Sequence, residues 1–167
     1  LVTFHPETMA AQENIQFSQA MKNALATISK DLFVVITMPN ADTQGSIYRE
    51  AILQLKNENG KGILLIENFG KANYFSAMHY CKLLIGNTSS GILEAASFGK
   101  YVVNVGDRQK GRAQSKNIIN CPFATFDIIR ATEKAIKLDN YVGENVYFKE
   151  DVADSIIKII KKIYENL

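Results

Sequence analysis

Hydrophobic positions in this 167-residue chain follow two spacings that alternate along its length. Short runs rich in β-branched residues predict strands, and segments with an apolar residue every three or four positions predict helices. Strands are expected at residues 1–4, 32–37, 62–66, 82–85 and 101–105. Helices are expected at residues 10–30, 46–57, 74–80, 90–98, 127–137 and 151–164.

This alternation predicts βαβ units and therefore an α/β fold, with a Rossmann-like parallel sheet covered by helices on both faces. The run VVIT at residues 34–37 is apolar without interruption, as expected of a strand buried on both sides. Turn-forming pairs such as Pro39-Asn40 and Asn59-Gly60 separate the elements. Because no linker or repeat interrupts the pattern, residues 1–167 are expected to form one domain. Ligands of such sheets bind beyond the carboxyl ends of the strands.

Composition narrows the function classes. The net charge of +2, from 19 Lys and Arg against 17 Asp and Glu, is too small for a sequence-blind nucleic-acid binder. No apolar run approaches the ~20 residues of a membrane span, and the start lacks the basic region of a signal peptide. Cys81 and Cys121 are therefore expected as free thiols in the cytoplasm. A chain that opens on Leu1, with its first methionine at Met9, is expected to be part of a longer protein.

Two of the predicted strand ends carry polar residues whose role the sequence leaves open. The first is followed by His5-Pro6-Glu7-Thr8, where His5 either contacts a phosphate or moves a proton, or simply precedes a helix. The second is followed by residues 38–45, which include Asn40 and Asp42. These two residues either contact a sugar hydroxyl or form an ordinary turn.

The densest polar feature is GNTSSG at residues 86–91, which precedes a predicted helix. Backbone N–H groups at a helix start, together with serine hydroxyls, suit an anion such as phosphate. Glu94 is expected one turn into this helix, where its carboxylate could accept hydrogen bonds from a vicinal diol. The alternative is a plain helix cap by Ser89 or Ser90, although a cap needs one hydroxyl and not three in succession. The motifs of a P-loop and of a dinucleotide site are both missing.

The fifth predicted strand leads into GDRQKGR at residues 106–112. Arg108, Lys110 and Arg112 suit a loop that closes on an anion, since arginine offers a planar fork to phosphate oxygens. A solvated surface turn is the alternative. His5, His79 and the two cysteines lack the spacing of metal ligands, so neither a metal nor a cofactor is expected. Tyr74, Phe75 and Met78 at helical spacing are expected in the core.

In combination, the HPET turn, the MPNADTQG loop and the run GNTSSGILEAASFGKYVVNVGDRQKGR resemble the carboxyl-terminal half of UDP-N-acetylglucosamine 2-epimerases. The closest likeness is to the hydrolysing branch that serves sialic acid synthesis. The resemblance implies one half of a glycosyltransferase-B-like enzyme, in which two Rossmann-like domains enclose the nucleotide sugar. This chain would be the second, UDP-binding domain, with the amino-terminal domain absent. Full-length relatives are usually homodimers.

The resemblance also implies a role for particular residues. His5 and Arg108 would face the diphosphate, Glu94 would accept from the ribose hydroxyls, and the Phe69-Gly70 stretch would meet the uracil. The remaining residues carried over are Thr88, Ser89, Ser90 and Gly91 around the diphosphate, Asn40 and Asp42 along the cleft, and Arg112 within the matching motif.

The chemistry implied by the resemblance is removal of UDP from C1 with loss of the C2 proton, which gives a glycal. Water then adds to yield N-acetylmannosamine. His5 is the catalytic residue expected on this chain, because the family's catalytic carboxylates come from the amino-terminal domain. The chain alone is therefore expected to bind UDP without turnover.

Several alternatives stay open at this point. They are a non-hydrolysing 2-epimerase, a variant acting on a UDP-diacetamido sugar and a UDP-sugar glycosyltransferase domain. A non-enzymatic receiver or sensor module is a further alternative. A receiver needs an acidic pocket for Mg²⁺ at the strand ends, whereas this sequence places hydroxyls and arginines there.

Overall fold

The computed structural model describes residues 1–8, 11–39 and 44–165, and in that part of the chain six parallel strands form one sheet. The strands are β1 (Val2–Thr3), β2 (Val34–Thr37), β3 (Ile63–Ile66), β4 (Leu83–Gly86), β5 (Tyr101–Val105) and β6 (Ile118–Cys121). Their order is β3-β2-β1-β4-β5-β6. The order reverses between β1 and β4, which places the topological switch point at the centre of the sheet. The α/β, Rossmann-like fold expected from the sequence is confirmed.

Six α-helices accompany these strands in the described residues. They are α1 (Asn14–Ile28), α2 (Gly45–Glu58), α3 (Gly70–Tyr80), α4 (Ser89–Leu93), α5 (Thr125–Ile136) and α6 (Val152–Tyr164). Short 3₁₀ turns lie at Gly60–Gly62 and Ala95–Phe98. Every predicted strand is present, and every predicted helix except the one at residues 90–98 is present with ends shifted by a few residues.

Two predictions need correction. Strand β6 was not expected, because IINC is a short, half-buried edge strand with no clear hydrophobic pattern. The helix expected at residues 90–98 is a five-residue helix followed by a 3₁₀ turn. Its hydrogen bonding changes register after Leu93: the carbonyl of Leu93 accepts from the Asn145 side chain at 2.9 Å, and the Ser97 N–H donates to the Glu94 carbonyl instead.

The core lies on both faces of the sheet but covers them unequally. The larger cluster packs α1, α2 and α5 against one face and includes Met21, Leu25, Tyr48, Leu55 and Ile128. The smaller cluster joins Met78 of α3 to Leu84 and Val102 on the other face. This second layer covers β4 and β5, so Val35 of β2 stays half-buried where burial on both faces was expected.

Helix α6 differs from the others because none of its described residues is buried. Its isoleucines, including Ile156 and Ile160, are about half exposed. No helix in the described ranges has the length and apolar character to span a membrane. Cys81 and Cys121 are both free thiols, as expected. Burial raises the pKa of the Cys121 thiol to about 11.

Candidate functional site

The residues after β1 are fixed by two asparagines that each bind both backbone groups of one residue. Asn87 accepts a hydrogen bond from the His5 N–H at 2.7 Å and donates one to the His5 carbonyl at 2.8 Å. Asn14 accepts from the Glu7 N–H at 2.9 Å and donates to the Glu7 carbonyl at 3.0 Å. These contacts hold the β1 loop (residues 4–8) at the switch point, with His5 half-buried there.

The hydroxyl loop (residues 87–91) follows β4 directly. The N-cap of α4 is Thr88, and its side chain makes no capping hydrogen bond, so the cap by Ser89 or Ser90 considered above does not form. Instead the Ser90 hydroxyl shares a hydrogen bond of 2.7 Å with the Tyr74 hydroxyl and lies 3.3 Å from the Thr88 hydroxyl. The hydroxyls therefore form a small polar network of their own.

Two features of the hydroxyl loop differ from the expectation. Gly91 is buried, and a Cβ there would lie 3.0 Å from the Val102 side chain, so packing against β5 is sufficient reason for this glycine. Helix α4 has only five residues. A helix this short carries a small dipole, so an anion held here would depend on hydroxyls and cationic side chains more than on the helix start.

Glu94 lies immediately after α4, and not inside a longer helix as the sequence suggested. Its Oε2 is buried and has no hydrogen-bond partner among the described residues. Burial raises the pKa of this carboxyl above its ordinary 4.5, and a backbone hydrogen bond and the Lys71 ammonium oppose the rise. A buried acceptor without a donor is costly, so this carboxylate is suited to receive a hydroxyl or N–H from a ligand.

This raised pKa gives a first testable prediction. Above the raised pKa the ionised Glu94 destabilises the folded state, and the cost disappears below pH 4.5, where the unfolded chain is also protonated. The variant Glu94→Gln should therefore show a small increase in the free energy of unfolding at pH 7 that vanishes at pH 4. Urea denaturation at both pH values measures it, with the exposed Glu133→Gln as control. An equal change in the free energy of unfolding at both pH values would contradict a raised pKa at Glu94.

The basic loop (residues 106–112) follows β5, and hydrogen bonds to the loops after β1 and β4 hold it in place. Glu7 Oε1 accepts hydrogen bonds from the Asp107 and Arg108 N–H groups, each at 3.1 Å. Gln109 Nε2 donates to the Asn87 carbonyl at 2.8 Å. Lys110 forms an ion pair with Asp107 at 3.0 Å. The cations of this loop that have no ion pair in the described part of the chain are Arg108 and Arg112, and both are exposed.

On the other side of the hydroxyl loop, Phe69 and Gly70 precede and begin α3. The Phe69 ring is half-buried and packs edge-on against Tyr74, with 6.2 Å between the ring centroids. Gly70 has a φ of +63° and donates its N–H to the Asn68 side chain at 2.7 Å. The Gly70 carbonyl opens the hydrogen bonding of α3, so the Phe69 ring is the part of this segment that remains for a base.

The sequence prediction for Tyr74, Phe75 and Met78 is correct in part. Met78 is fully buried and Phe75 packs beside it, as expected of core residues. Tyr74 packs there too, but its hydroxyl bonds to Ser90 and links α3 to the hydroxyl loop. Because a buried tyrosine hydroxyl usually finds a hydrogen-bond partner, the choice of tyrosine at position 74 was the sign in the sequence of a polar contact.

The structure brings most of the sequence-predicted residues into one connected region. Phe69 contacts Tyr74, which bonds to Ser90 of the hydroxyl loop, and Ser90 lies beside Thr88. At the start of the same loop, Asn87 binds His5 through its side chain and Gln109 of the basic loop through its carbonyl. Glu94 joins it through its N–H, which donates to the Ser90 carbonyl at 3.0 Å. Asn40 and Asp42 lie outside the described residues. The sequence reasoning missed the residues that hold these loops together: Glu7, Asn14, Asn87 and Gln109.

Comparison with known proteins bears on the family and the fold of this chain. The profile of a family described as UDP-N-acetylglucosamine 2-epimerase matches residues 1–161. The GDP/UDP-N,N'-diacetylbacillosamine 2-epimerase (hydrolyzing) of Campylobacter jejuni is 34% identical over 127 residues, which are 76% of this chain and 33% of that protein. Polysialic acid biosynthesis protein P7 of Escherichia coli is 30% identical over 171 residues, covering 99% of this chain and 43% of that protein.

Among solved structures, the S. aureus MnaA–UDP co-structure superimposes with a TM-score of 0.73 at 15% identity. The match covers 99% of this chain and 45% of that one, and at this identity it shows the fold alone. This chain thus spans less than half the length of each of these relatives. The family profile matches nearly all of the sequence, and a 30% identical relative aligns with 99% of this chain. These two findings show that this chain belongs to the UDP-N-acetylglucosamine 2-epimerase family.

Proposed function

We propose that residues 1–167 are the carboxyl-terminal, nucleotide-binding half of a hydrolysing UDP-N-acetylglucosamine 2-epimerase. The observation that carries this proposal is the buried Glu94 oxygen without a hydrogen-bond partner, at the end of a loop of hydroxyls. A ribose offers two adjacent hydroxyl donors to such an acceptor. The hydroxyl and basic loops then supply donors and positive charge for a diphosphate.

The site separates into three parts along the series of contacts. The ribose lies at Glu94, and the uracil lies against the Phe69 ring and the backbone of Gly70. The diphosphate lies between the hydroxyl loop, with Thr88, Ser89, Ser90 and Gly91, and the basic loop. His5 and Arg108 face the diphosphate, and Arg112 adds charge at the rim.

In the proposed reaction, UDP leaves C1 as the C2 proton is removed, and water adds to the resulting glycal to give N-acetylmannosamine. Charge develops on the diphosphate as the bond to C1 breaks. Fixed donors and cations stabilise such charge most effectively when they are positioned in advance. The anchored loops that carry His5 and Arg108 suit this role, and His5 is the candidate catalytic group on this chain.

Removing and returning the C2 proton requires carboxylates of matched pKa. In this proposal the other domain of the full-length protein supplies them, so residues 1–167 alone bind UDP without turnover. The full-length protein is proposed to be a cytoplasmic homodimer.

The sugar has a second candidate. The Campylobacter jejuni relative at 34% identity is named as a hydrolysing epimerase of a diacetylbacillosamine nucleotide. Its name supports the hydrolysing type over the non-hydrolysing one, and it makes a UDP-diacetamido sugar an alternative substrate. The two substrates share the nucleotide and differ only in the sugar. Incubating the full-length protein with each UDP-sugar and identifying the released sugar by mass spectrometry distinguishes them.

A nucleotide titration tests the proposal directly. UDP, GDP and AMP are added separately to the chain, and backbone amide shifts are followed by NMR. We expect UDP-selective shifts at Phe69, Gly70, Glu94 and residues 86–91, with a dissociation constant between about 1 μM and 1 mM. The variant Glu94→Gln should bind UDP about 10- to 100-fold more weakly, because it loses charge-assisted hydrogen bonds to the ribose.

Glu133→Gln on the exposed face of α5 is the matched control and should bind UDP like the wild type. If the chain alone shows no shifts, the titration is repeated with the full-length protein. Equal response to the three nucleotides, or UDP binding that Glu94→Gln leaves unchanged, would refute the assignment of the site.

A further inference from the structure

Glu7 is a buried carboxylate whose contacts hold the basic loop, and none of the ligand-facing roles above uses it. Glu7 is only 5% exposed, although it lies two positions after His5. One of its oxygens, Oε1, accepts from the N–H groups of Asp107 and Arg108, which are 100 and 101 positions away in sequence. The contact therefore joins the loop after β1 to the loop after β5.

We propose that Glu7 is a positioning residue that fixes the backbone of Arg108, so that the guanidinium faces the diphosphate of a bound nucleotide. This inference rests on the proposed function. The basic loop is exposed at Asp107, Arg108 and Lys110. Glycines with positive φ stand at its start and near its end, Gly106 at +74° and Gly111 at +84°. Such a loop has many accessible conformations unless contacts from the rest of the fold restrict it.

The surroundings of the carboxylate are built to admit it. A Cβ on Gly106 would lie 2.5 Å from Glu7 Oε1 and 3.0 Å from the Phe123 ring, so only glycine leaves room for this contact. Asn14 holds the Glu7 backbone at both its N–H and its carbonyl. The carboxylate is thus presented to the basic loop from a rigid support.

A second contact closes the arrangement into a ring. Gln109 donates to the Asn87 carbonyl, and Asn87 binds the backbone of His5, which leads back along the chain to Glu7. The loops after β1, β4 and β5 are therefore one connected unit. Within it, the contact between Glu7 and Arg108 is the one that acts directly on the cation assigned to the diphosphate.

The sign of the effect separates this role from its opposite. Two adjacent N–H groups that converge on an anion could themselves bind phosphate. If Glu7 merely occupied that position in the absence of nucleotide, it would compete with the diphosphate, and removing its charge would strengthen UDP binding. If Glu7 positions Arg108, removing its charge weakens UDP binding, because the two N–H groups lose a charge-assisted partner and the loop loosens.

A double-mutant cycle tests the inference. The chain, Glu7→Gln, Arg108→Ala and the double variant are titrated with UDP and with uridine, with Glu13→Gln as an exposed control near the same loop. We expect Glu7→Gln to weaken UDP binding about tenfold and to leave uridine binding unchanged, since uridine has no diphosphate. In the Arg108→Ala background, Glu7→Gln should have almost no further effect, because residues acting through one another are not additive.

Three results would overturn the inference: tighter UDP binding by Glu7→Gln, equal losses for UDP and uridine, or full additivity with Arg108→Ala. If circular dichroism shows that Glu7→Gln is unfolded, Glu7→Asp replaces it. That variant keeps the charge on a side chain one methylene shorter. It should weaken UDP binding and leave uridine binding unchanged. If neither the wild-type chain nor the full-length protein binds UDP selectively, the proposed function is refuted, and the inference with it.

Discussion

Replacing Gly86 with alanine should unfold most of the chain or cost it at least about 4 kcal/mol of folding free energy. A Cβ at this position would lie 1.9 Å from the carbonyl oxygen of Thr3, a separation that no relaxation of a side chain can relieve. The φ of Gly86 is +144°, which residues with a Cβ rarely adopt. Steric overlap and backbone strain therefore act together.

The position of Gly86 in the sheet makes the damage global. Gly86 pairs with Thr3 at the contact between β1 and β4, the central contact of the six-stranded order. Separating these strands divides the sheet into halves of three strands and displaces the loops of the proposed site. Because domains of this size have a total stability of about 5–15 kcal/mol, a loss of this magnitude removes much of it.

Urea denaturation followed by circular dichroism measures the effect, with Gly60→Ala as the matched control. Gly60 has nothing within 4 Å of its added Cβ and no positive φ, so alanine there should change stability by less than about 1 kcal/mol. A Gly86→Ala variant as stable as Gly60→Ala would show that β1 and β4 are not packed as described.

Hydrophobic spacing was sufficient to predict most of the fold. Five strands and five of the six helices follow patterns that burial imposes, as at Val34 and Ile36 of β2, whereas α6 keeps the pattern with none of its described residues buried. Strand β6 has no such pattern, because it lies at the sheet edge with Ile118 and Ile119 only half-buried. The end of α4 was also beyond local prediction. At this end the Leu93 carbonyl accepts from the Asn145 side chain, which lies 52 positions away in sequence.

The proposed site was predictable to a different extent for ligand-facing and supporting residues. Glu94 and Arg108 stand in motifs whose composition indicates an anion and a diol. Glu7 and Gln109 resemble ordinary loop residues in sequence, and their roles come from contacts between loops that are distant along the chain. Only the parallel sheet, which brings the carboxyl ends of β1, β4 and β5 to one edge, reveals them.

Replacing Asn87 with alanine should lower the free energy of unfolding by about 2–5 kcal/mol and weaken UDP binding at least about tenfold. Asn87 is fully buried, and its side chain satisfies both the N–H and the carbonyl of His5. Alanine leaves these two half-buried backbone groups without those partners. It also frees the β1 loop that carries His5 and Glu7 toward the proposed diphosphate site.

The two effects are measured separately, because an unfolded fraction by itself lowers apparent affinity. Urea denaturation gives the stability, and UDP titration at a temperature where circular dichroism shows full folding gives the binding. The exposed Asn57→Ala on α2 should change neither quantity. Asn87→Asp keeps the acceptor for the His5 N–H but turns a carboxylate oxygen toward the His5 carbonyl, so it should also be destabilised. A destabilised Asn87→Ala that still binds UDP at wild-type affinity would show that Asn87 supports the fold without organising the site.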